Sequence, residues 1–144
     1  MADATADEVA IRCVIDAWTT ALHDKDAKGA TAGLGDDFLL YSLAPPLGST
    51  GPDPAGLQGW FDTWSGPIGY DLANLEIAAA GDVAFAHGLA HMTGTKVDGE
   101  IADLWFRCTL GLRQRGGAWK IVHAHESVPF LMDGSFKAAI DLKP

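Results

Sequence analysis

The side chains best suited to acid–base chemistry lie in two mostly apolar stretches of the second half of the chain. Glu126, His123 and His125 belong to GGAWKIVHAHESVPF at 116–130, and His87 and His91 belong to VAFAHGLAHMT at 83–93. Burial disfavours the charged form of a carboxyl group and raises its pKa, so a buried Glu126 would exchange protons near neutral pH. The alternative is that Glu126 lies exposed at a strand end or pairs with an arginine.

These residue types suit proton transfer next to a carbonyl group, as in isomerisation or aldol cyclisation. Glu126 would act as the base, and His87, His91 or Tyr41 would donate a hydrogen bond to the developing enolate oxygen. The two histidines are four residues apart on a strand, about 13 Å at Cα, which is too far to chelate one metal ion. The alternative to a catalytic role is that both are ordinary polar residues lining the cone, or hydrogen-bonded histidines in the core.

His123 and His125 are two residues apart and are predicted to lie on one strand face, about 7 Å apart at Cα. A metal pair is conceivable, with Asp103 or Glu126 as a third ligand, but no HExxH motif or Cys/His spacing supports it. We therefore predict no metal, and instead a hydrogen-bonded network at the hairpin or at a dimer interface. The partners expected in that network are Arg107, Thr109 and Ser127.

Apolar and aromatic side chains are predicted to contact an apolar or aromatic substrate. These are Trp60, Trp64, Phe85, Leu89, Phe106 and Leu110. Trp60 and Trp64 would roof the pocket mouth and stack on a planar ligand, or else simply pack the core. The sequence contains no P-loop, no GxGxxG motif and no Ser-His-Asp order, so we predict no cofactor.

Hydrophobic periodicity predicts the elements that must position these residues. An amphipathic helix capped near Thr5 carries apolar residues from Ile11 to Leu22, and short helices follow at 27–34 and 54–64. A strand at 38–41 and four long strands at 70–79, 83–95, 101–115 and 116–130 complete the pattern. Such segregation of helices and antiparallel strands predicts an α+β fold. In this fold a curved, cone-shaped antiparallel sheet would wrap around the helices and enclose an interior pocket.

Alternation along the last strand assigns its faces, provided that no bulge intervenes. Trp119, Ile121, His123 and His125 would share one face, and Glu126 would lie on the other. In the strand at 83–95, Val83, Phe85, His87, Leu89 and His91 would share a face.

Composition limits the classes of partner. The 144 residues predict one domain spanning 1–144, and the formal net charge of −9 disfavours nucleic acid. No apolar run approaches the roughly 20 residues of a membrane span, and the N-terminus lacks a signal core, so we expect a cytoplasmic protein away from membranes. Cys13 and Cys108 are expected to be buried and reduced.

Four segments carry a resemblance to a known superfamily. They are HDKD at 23–26, GDDFLLYS at 35–42, GDVAFAHG at 81–88 and WFRCTLGLRQRGGAWKIVHAHESVP at 105–129. The chain resembles, over about residues 7–130, the nuclear transport factor 2-like (SnoaL-like) superfamily, which includes ketosteroid isomerases. The last segment is similar to the final hairpin of the association domain of calcium/calmodulin-dependent protein kinase II. This superfold hosts many unrelated functions.

The resemblance implies positions for several side chains. Glu126 falls where SnoaL-like cyclases hold a pocket carboxylate, whereas Leu89 and Leu110 fall where the kinase association domain has pocket arginines. By the same parity, His87 and His91 would point into the cone. His123, His125, Arg107 and Thr109 would point towards the sheet face that often packs against a second subunit.

The sequence thus predicts a homodimer formed through the sheet face that binds a small apolar or aromatic molecule, and it leaves two functions open. The first is a cofactor-independent isomerase or cyclase that uses Glu126. The second is a non-catalytic association or ligand-binding module. The predicted dimer rests on strand faces carrying Trp119, Ile121 and Val83, which are too apolar to leave in water.

Overall fold

A computed structural model describes residues 4–144. Helix α1 spans Ala6–His23, and the Thr5 hydroxyl caps it by accepting the Glu8 backbone N–H at 3.1 Å. Ile11, Ile15 and Trp18 are buried along one stripe of this helix. The predicted capped, amphipathic first helix is therefore confirmed.

Two short helices follow, each capped by an aspartate. Asp26 caps α2 (Ala27–Ala32), and Asp53 caps α3 (Pro54–Phe61). Helix α3 ends three residues before the predicted boundary, because Trp64 already begins a strand that contains Gly66 and Pro67. Trp60 and Trp64 therefore belong to different elements and do not share a helix face.

Six strands form one sheet. They are β1 (Leu34–Tyr41), β2 (Ser49–Thr50), β3 (Trp64–Ala80), β4 (Val83–Lys96), β5 (Ile101–Arg115) and β6 (Ala118–Ser127). Their spatial order is β2-β1-β6-β5-β4-β3, and β2 and β3 form the two ends of an unclosed sheet within the described residues. All neighbours are antiparallel except β1 and β6, which run parallel. The predicted α+β fold with four consecutive antiparallel strands is confirmed.

A bulge in β6 changes the predicted faces of the last strand. Leu112 pairs with Ile121, but the preceding Gly111 pairs with His123, so Val122 is an extra residue in β6. Trp119 and Ile121 are consequently buried on the face that also carries Ala124 and Glu126. We call this face, which packs in the core with α1, the inner face, and the opposite one the outer face. The prediction that Trp119 and Ile121 share a face with His123 and His125 was wrong.

Strand β4 presents its small residues to the core. Ala84, Ala86 and Ala90 are buried, whereas Phe85 is 53% exposed. The core that contains these alanines is filled by large side chains from the helices, including Ile11, Ile15 and Phe61. The prediction that His87 and His91 point into the cone was therefore wrong, because both lie on the outer face with Phe85.

Smaller expectations had mixed outcomes. Cys108 is buried and Cys13 is exposed, and both are free thiols, so the predicted burial holds for Cys108 alone. After β6 the chain forms turns, with one bridge between Phe130 and Ala138. Among residues 4–144, no helix is long and apolar enough to cross a membrane.

Candidate functional site

A carboxyl group and a phenol meet on the inner face of the sheet. The Tyr70 hydroxyl donates a hydrogen bond of 3.2 Å to Oε2 of Glu126. Tyr70 lies on β3 and Glu126 on β6, with two strands between them, about 14 Å of sheet at ordinary strand spacing. The two side chains meet across the hollow of the curved sheet, and Tyr70 is only 5% exposed.

Apolar side chains surround this hydrogen bond. The ring of Trp18 on α1 meets the Tyr70 ring edge-on, with centroids 5.4 Å apart, and Phe106 meets it at 5.7 Å. Cys108 on β5 pairs directly with Glu126 in the strand register and is buried. Glu126 is partly buried here, and its carboxyl group loses part of its water to an apolar wall and one phenol, which favours its neutral form.

The titration of these groups follows from that environment. Burial raises the pKa of Glu126 from 4.5 to about 7, although the hydrogen bond from Tyr70 opposes this rise. Burial, and then the neighbouring Glu126 charge, raise the pKa of Tyr70 well above 10. The same two causes raise the pKa of Cys108 to about 12. At neutral pH the phenol and the thiol are therefore protonated, while Glu126 is close to half-ionised.

An open cleft reaches Glu126 from the surface. Its volume is about 690 Å³. Two strands line it with Tyr41 on β1 and His125 and Glu126 on β6. The rest of the lining is the β1–β2 connection, namely Ser42, Leu43, Ala44, Pro45, Pro46, Leu47 and Gly48. The cleft is thus mainly apolar, with hydroxyl groups from Tyr41 and Ser42 and with imidazole and carboxyl groups from β6.

Tyr41 and two histidines form a cluster on the outer face beside this cleft. The Tyr41 ring meets His123 and His125 edge-on, with centroids 5.1 and 5.4 Å away. Nδ1 of His123 lies 2.8 Å from the Leu39 carbonyl oxygen and must donate to it, since a carbonyl only accepts. His125 is exposed. His87, His91 and Tyr41 were predicted to donate a hydrogen bond to a substrate oxygen. Of these three, Tyr41 lines the same cleft as Glu126.

His87 and His91 lie away from Glu126, across the sheet. His87 Nε2 is 3.6 Å from a Glu76 carboxylate oxygen, and His91 Nε2 is 2.6 Å from Oδ1 of Asp103. The His91 ring also stacks on Trp105 at 4.2 Å. A shallow groove of about 330 Å³ runs past His87 on this face. Outer-face carboxylates, not Glu126, are therefore the partners of these histidines.

The predicted substrate-binding residues divide among three places. Phe106 and Leu110 face the interior as predicted, within a packed core, whereas Phe85 and Leu89 lie on the outer face. Trp64 is buried, contacts Trp60 at 5.6 Å between centroids, and carries the Lys96 ammonium 3.8 Å above its ring. Neither tryptophan lines the cleft at Glu126 or the groove at His87.

The predicted outer-face network forms in part, because Arg107 Nε donates to the Ser127 hydroxyl at 3.0 Å. No group of three or more His, Cys, Asp or Glu side chains within residues 4–144 could hold a metal ion.

The residue that sequence reasoning missed is Tyr70. Its signal was a polar aromatic within a predicted strand, but its pairing with Glu126 depends on how strongly the sheet curves.

Comparison with known proteins agrees with this architecture. Residues 11–131 match the sequence profile of the SnoaL-like domain. The crystal structure of an NTF2-like protein of unknown function from Pseudomonas putida KT2440 superimposes with a TM-score of 0.87 at 35% identity, covering 99% of this chain and 100% of the other.

More distant structures share the fold. A ketosteroid isomerase-like protein from Erwinia carotovora atroseptica gives a TM-score of 0.74 at 20% identity, over 86% of this chain and 97% of the other. A Xanthomonas campestris protein, provisionally described as a calcium/calmodulin dependent protein kinase II association domain, gives 0.72 at 20% identity, over 87% and 88%. Among curated proteins, none matches this chain.

Proposed function

Since this chain belongs to the SnoaL-like domain family, we propose that it binds a small apolar carbonyl compound and transfers a proton next to the carbonyl group. The observation behind this proposal is the Glu126 carboxyl group, held by Tyr70 in an apolar wall with a pKa of about 7. A base with this pKa is half-ionised at neutral pH and is well matched to proton transfer. Such perturbed groups concentrate at functional sites.

Each side chain at the site has a distinct role in the proposal. Tyr70 bonds Oε2 of Glu126 and so acts as a positioning residue, which leaves Oε1 free to take the proton. Tyr41 and His125 line the same cleft and supply donors for the carbonyl oxygen as negative charge develops on it. His87 and His91 have no part in this step, because neither lines the cleft at Glu126 and carboxylates already contact their Nε2 atoms.

Deuterium exchange tests this proposal whatever the final product of the reaction is. A panel of apolar ketones and enones would be incubated with the protein in D2O, and loss of the α-proton signal would be followed by NMR. We expect exchange with at least one ketone to exceed the buffer rate and to rise with pH through a midpoint near 7, as Glu126 ionises. Glu126→Gln should lower that exchange by about 10²–10⁴-fold, the usual contribution of a positioned base.

The matched control is Glu100→Gln, which removes an exposed carboxylate and should leave the exchange rate unchanged. Retention of the parent rate in Glu126→Gln would overturn the role of this residue. A panel in which no compound exchanges faster than in buffer would overturn the reaction class.

The outer face favours a second, compatible role, association with another copy of this chain. Val83 and Phe85 are 45% and 53% exposed on this face. Charged side chains of both signs lie nearby. Glu76, which is negative, approaches His87. Arg107, which is positive, is exposed on β5 two residues from Thr109. A two-fold dimer places one patch against itself, so a patch with an apolar centre and mixed charges suits it. Trp119 and Ile121 no longer support the dimer, because both are buried in the core.

Sedimentation at micromolar concentration tests the association. We expect a mass twice that of the 15.2 kDa chain, and a monomer when Phe85→Glu places a charge in the apolar patch. Phe136→Glu is the matched control, because Phe136 is the same residue type and is also exposed, at 77%, but lies in the C-terminal tail. A monomeric parent protein, or a dimer unaffected by Phe85→Glu, would rule out this interface.

A further inference from the structure

The cluster of Tyr41, His123 and His125 brings two imidazole rings together, an arrangement that the proton-transfer proposal, which uses Tyr41 and His125 as donors, does not require. The two imidazole rings lie 6.2 Å apart between centroids on the outer face of β6. Two imidazoles that share a tetrahedral ion have centroids roughly 5 to 6 Å apart, given Zn–N distances of about 2.0–2.1 Å. The observed separation of 6.2 Å is slightly above this range, and the His125 ring is exposed.

The hydrogen bond of His123 fixes which of its nitrogens is free. Because Nδ1 donates to the Leu39 carbonyl oxygen at 2.8 Å, the lone pair of the neutral ring is on Nε2. A histidine that donates one ring N–H to a backbone carbonyl and presents the other nitrogen is the common arrangement of a metal ligand. The edge-on contact of Tyr41 with both rings further restricts their orientation.

His125 supplies the second nitrogen without having to break an existing bond. It is exposed, and within residues 4–144 no hydrogen bond to its ring is formed. It also lines the cleft that contains Glu126, and the chain carries a net charge of −9, which attracts cations. His87 and His91 differ, because carboxylates already contact their Nε2 atoms.

We propose that His123 and His125 together bind one divalent transition-metal ion, of the Zn²⁺, Ni²⁺ or Cu²⁺ class. Imidazole nitrogen suits these borderline ions, whereas Mg²⁺ and Ca²⁺ require oxygen ligands. Two protein ligands leave the remaining coordination positions to water or to a molecule in the cleft. The affinity is accordingly moderate, with a Kd in the micromolar range. This proposal does not depend on catalysis by Glu126.

Calorimetric titration of the untagged protein with Zn²⁺ and with Ni²⁺ tests the site. The chain has five histidines, so a variant with His23, His87 and His91 each changed to Gln retains only the proposed pair. We expect one ion per chain for both the parent and this triple variant, with the same Kd. His123→Gln and His125→Gln should each weaken binding by more than about tenfold.

Paramagnetic broadening gives a second readout that does not require a large binding enthalpy. Substoichiometric Ni²⁺ should broaden the ring signals of His123 and His125 before those of the other histidines. The proposal is overturned if the parent shows no saturable binding at millimolar metal. It is also overturned if either single variant binds like the parent, or if the triple variant loses the site.

Discussion

The Glu126→Gln variant is expected to be more stable than the parent protein at pH 8, by about 3 kcal/mol. A shift in the pKa of Glu126 from 4.5 to about 7 means that ionising this group in the folded protein costs about 3 kcal/mol more than in the unfolded chain. Glutamine has nearly the same shape and carries no charge. Its carbonyl oxygen can still accept the Tyr70 hydroxyl, so the hydrogen bond is retained.

The sign of the pH dependence distinguishes this carboxyl group from an ordinary salt-bridged one. Between pH 4.5 and 7 the folded state keeps the Glu126 proton that the unfolded state has lost, so the stability of the parent protein falls as the pH rises. The advantage of Glu126→Gln should therefore be close to zero at pH 4, grow through this interval, and level off above pH 7. Urea unfolding of both proteins at several pH values measures this difference in the free energy of unfolding.

An exposed carboxylate provides the comparison for this effect. Glu100→Gln removes the same charge from the surface and should change the free energy of unfolding by no more than about 0.5 kcal/mol at any of these pH values. If Glu126→Gln is less stable than the parent at pH 8, the carboxylate is engaged in a favourable charged interaction. That result would contradict both the raised pKa and the proposed base.

The elements of this fold were predictable because each has a local chemical cause. The Thr5 and Asp26 caps, the apolar stripe of α1 and the limits of β5 all follow from side chains within a few residues of one another. The position of Glu126 on the inner face was also predictable, since two-residue alternation holds over the last part of β6.

The errors lie where the outcome depends on contacts between distant strands. The bulge at Val122 shows only as a shift of register against Gly111 and Leu112, and no residue type in β6 indicates it. In β4 large and small residues alternate, so the sequence did not decide which set faces inwards. Large side chains from the helices fill the interior, and the small residues of β4 therefore face it. The partnership of Tyr70 with Glu126 spans 56 residues and is produced by sheet curvature.

The variant Trp18→Ala is expected to have two linked effects, one on stability and one on the titration of Glu126. Trp18 is 9% exposed, and its ring meets Tyr70 edge-on at 5.4 Å. Truncating such a side chain leaves a cavity and should lower the free energy of unfolding by about 3–5 kcal/mol. Water that enters this cavity would reach the polar pair, so the pKa of Glu126 should fall from about 7 towards 4.5.

Two further variants separate these effects, with unfolding measured in urea and the Glu126 carboxyl carbon titrated by NMR. Trp18→Phe keeps an aromatic wall against Tyr70, so it should fold more stably than Trp18→Ala and keep the raised pKa. Ile11→Val removes a methylene from the same buried stripe and should cost about 1 kcal/mol without moving the pKa. If the pKa of Glu126 stays near 7 in Trp18→Ala, α1 does not supply the desolvation. If it falls, the helix that closes the core also sets the acidity of the proposed base.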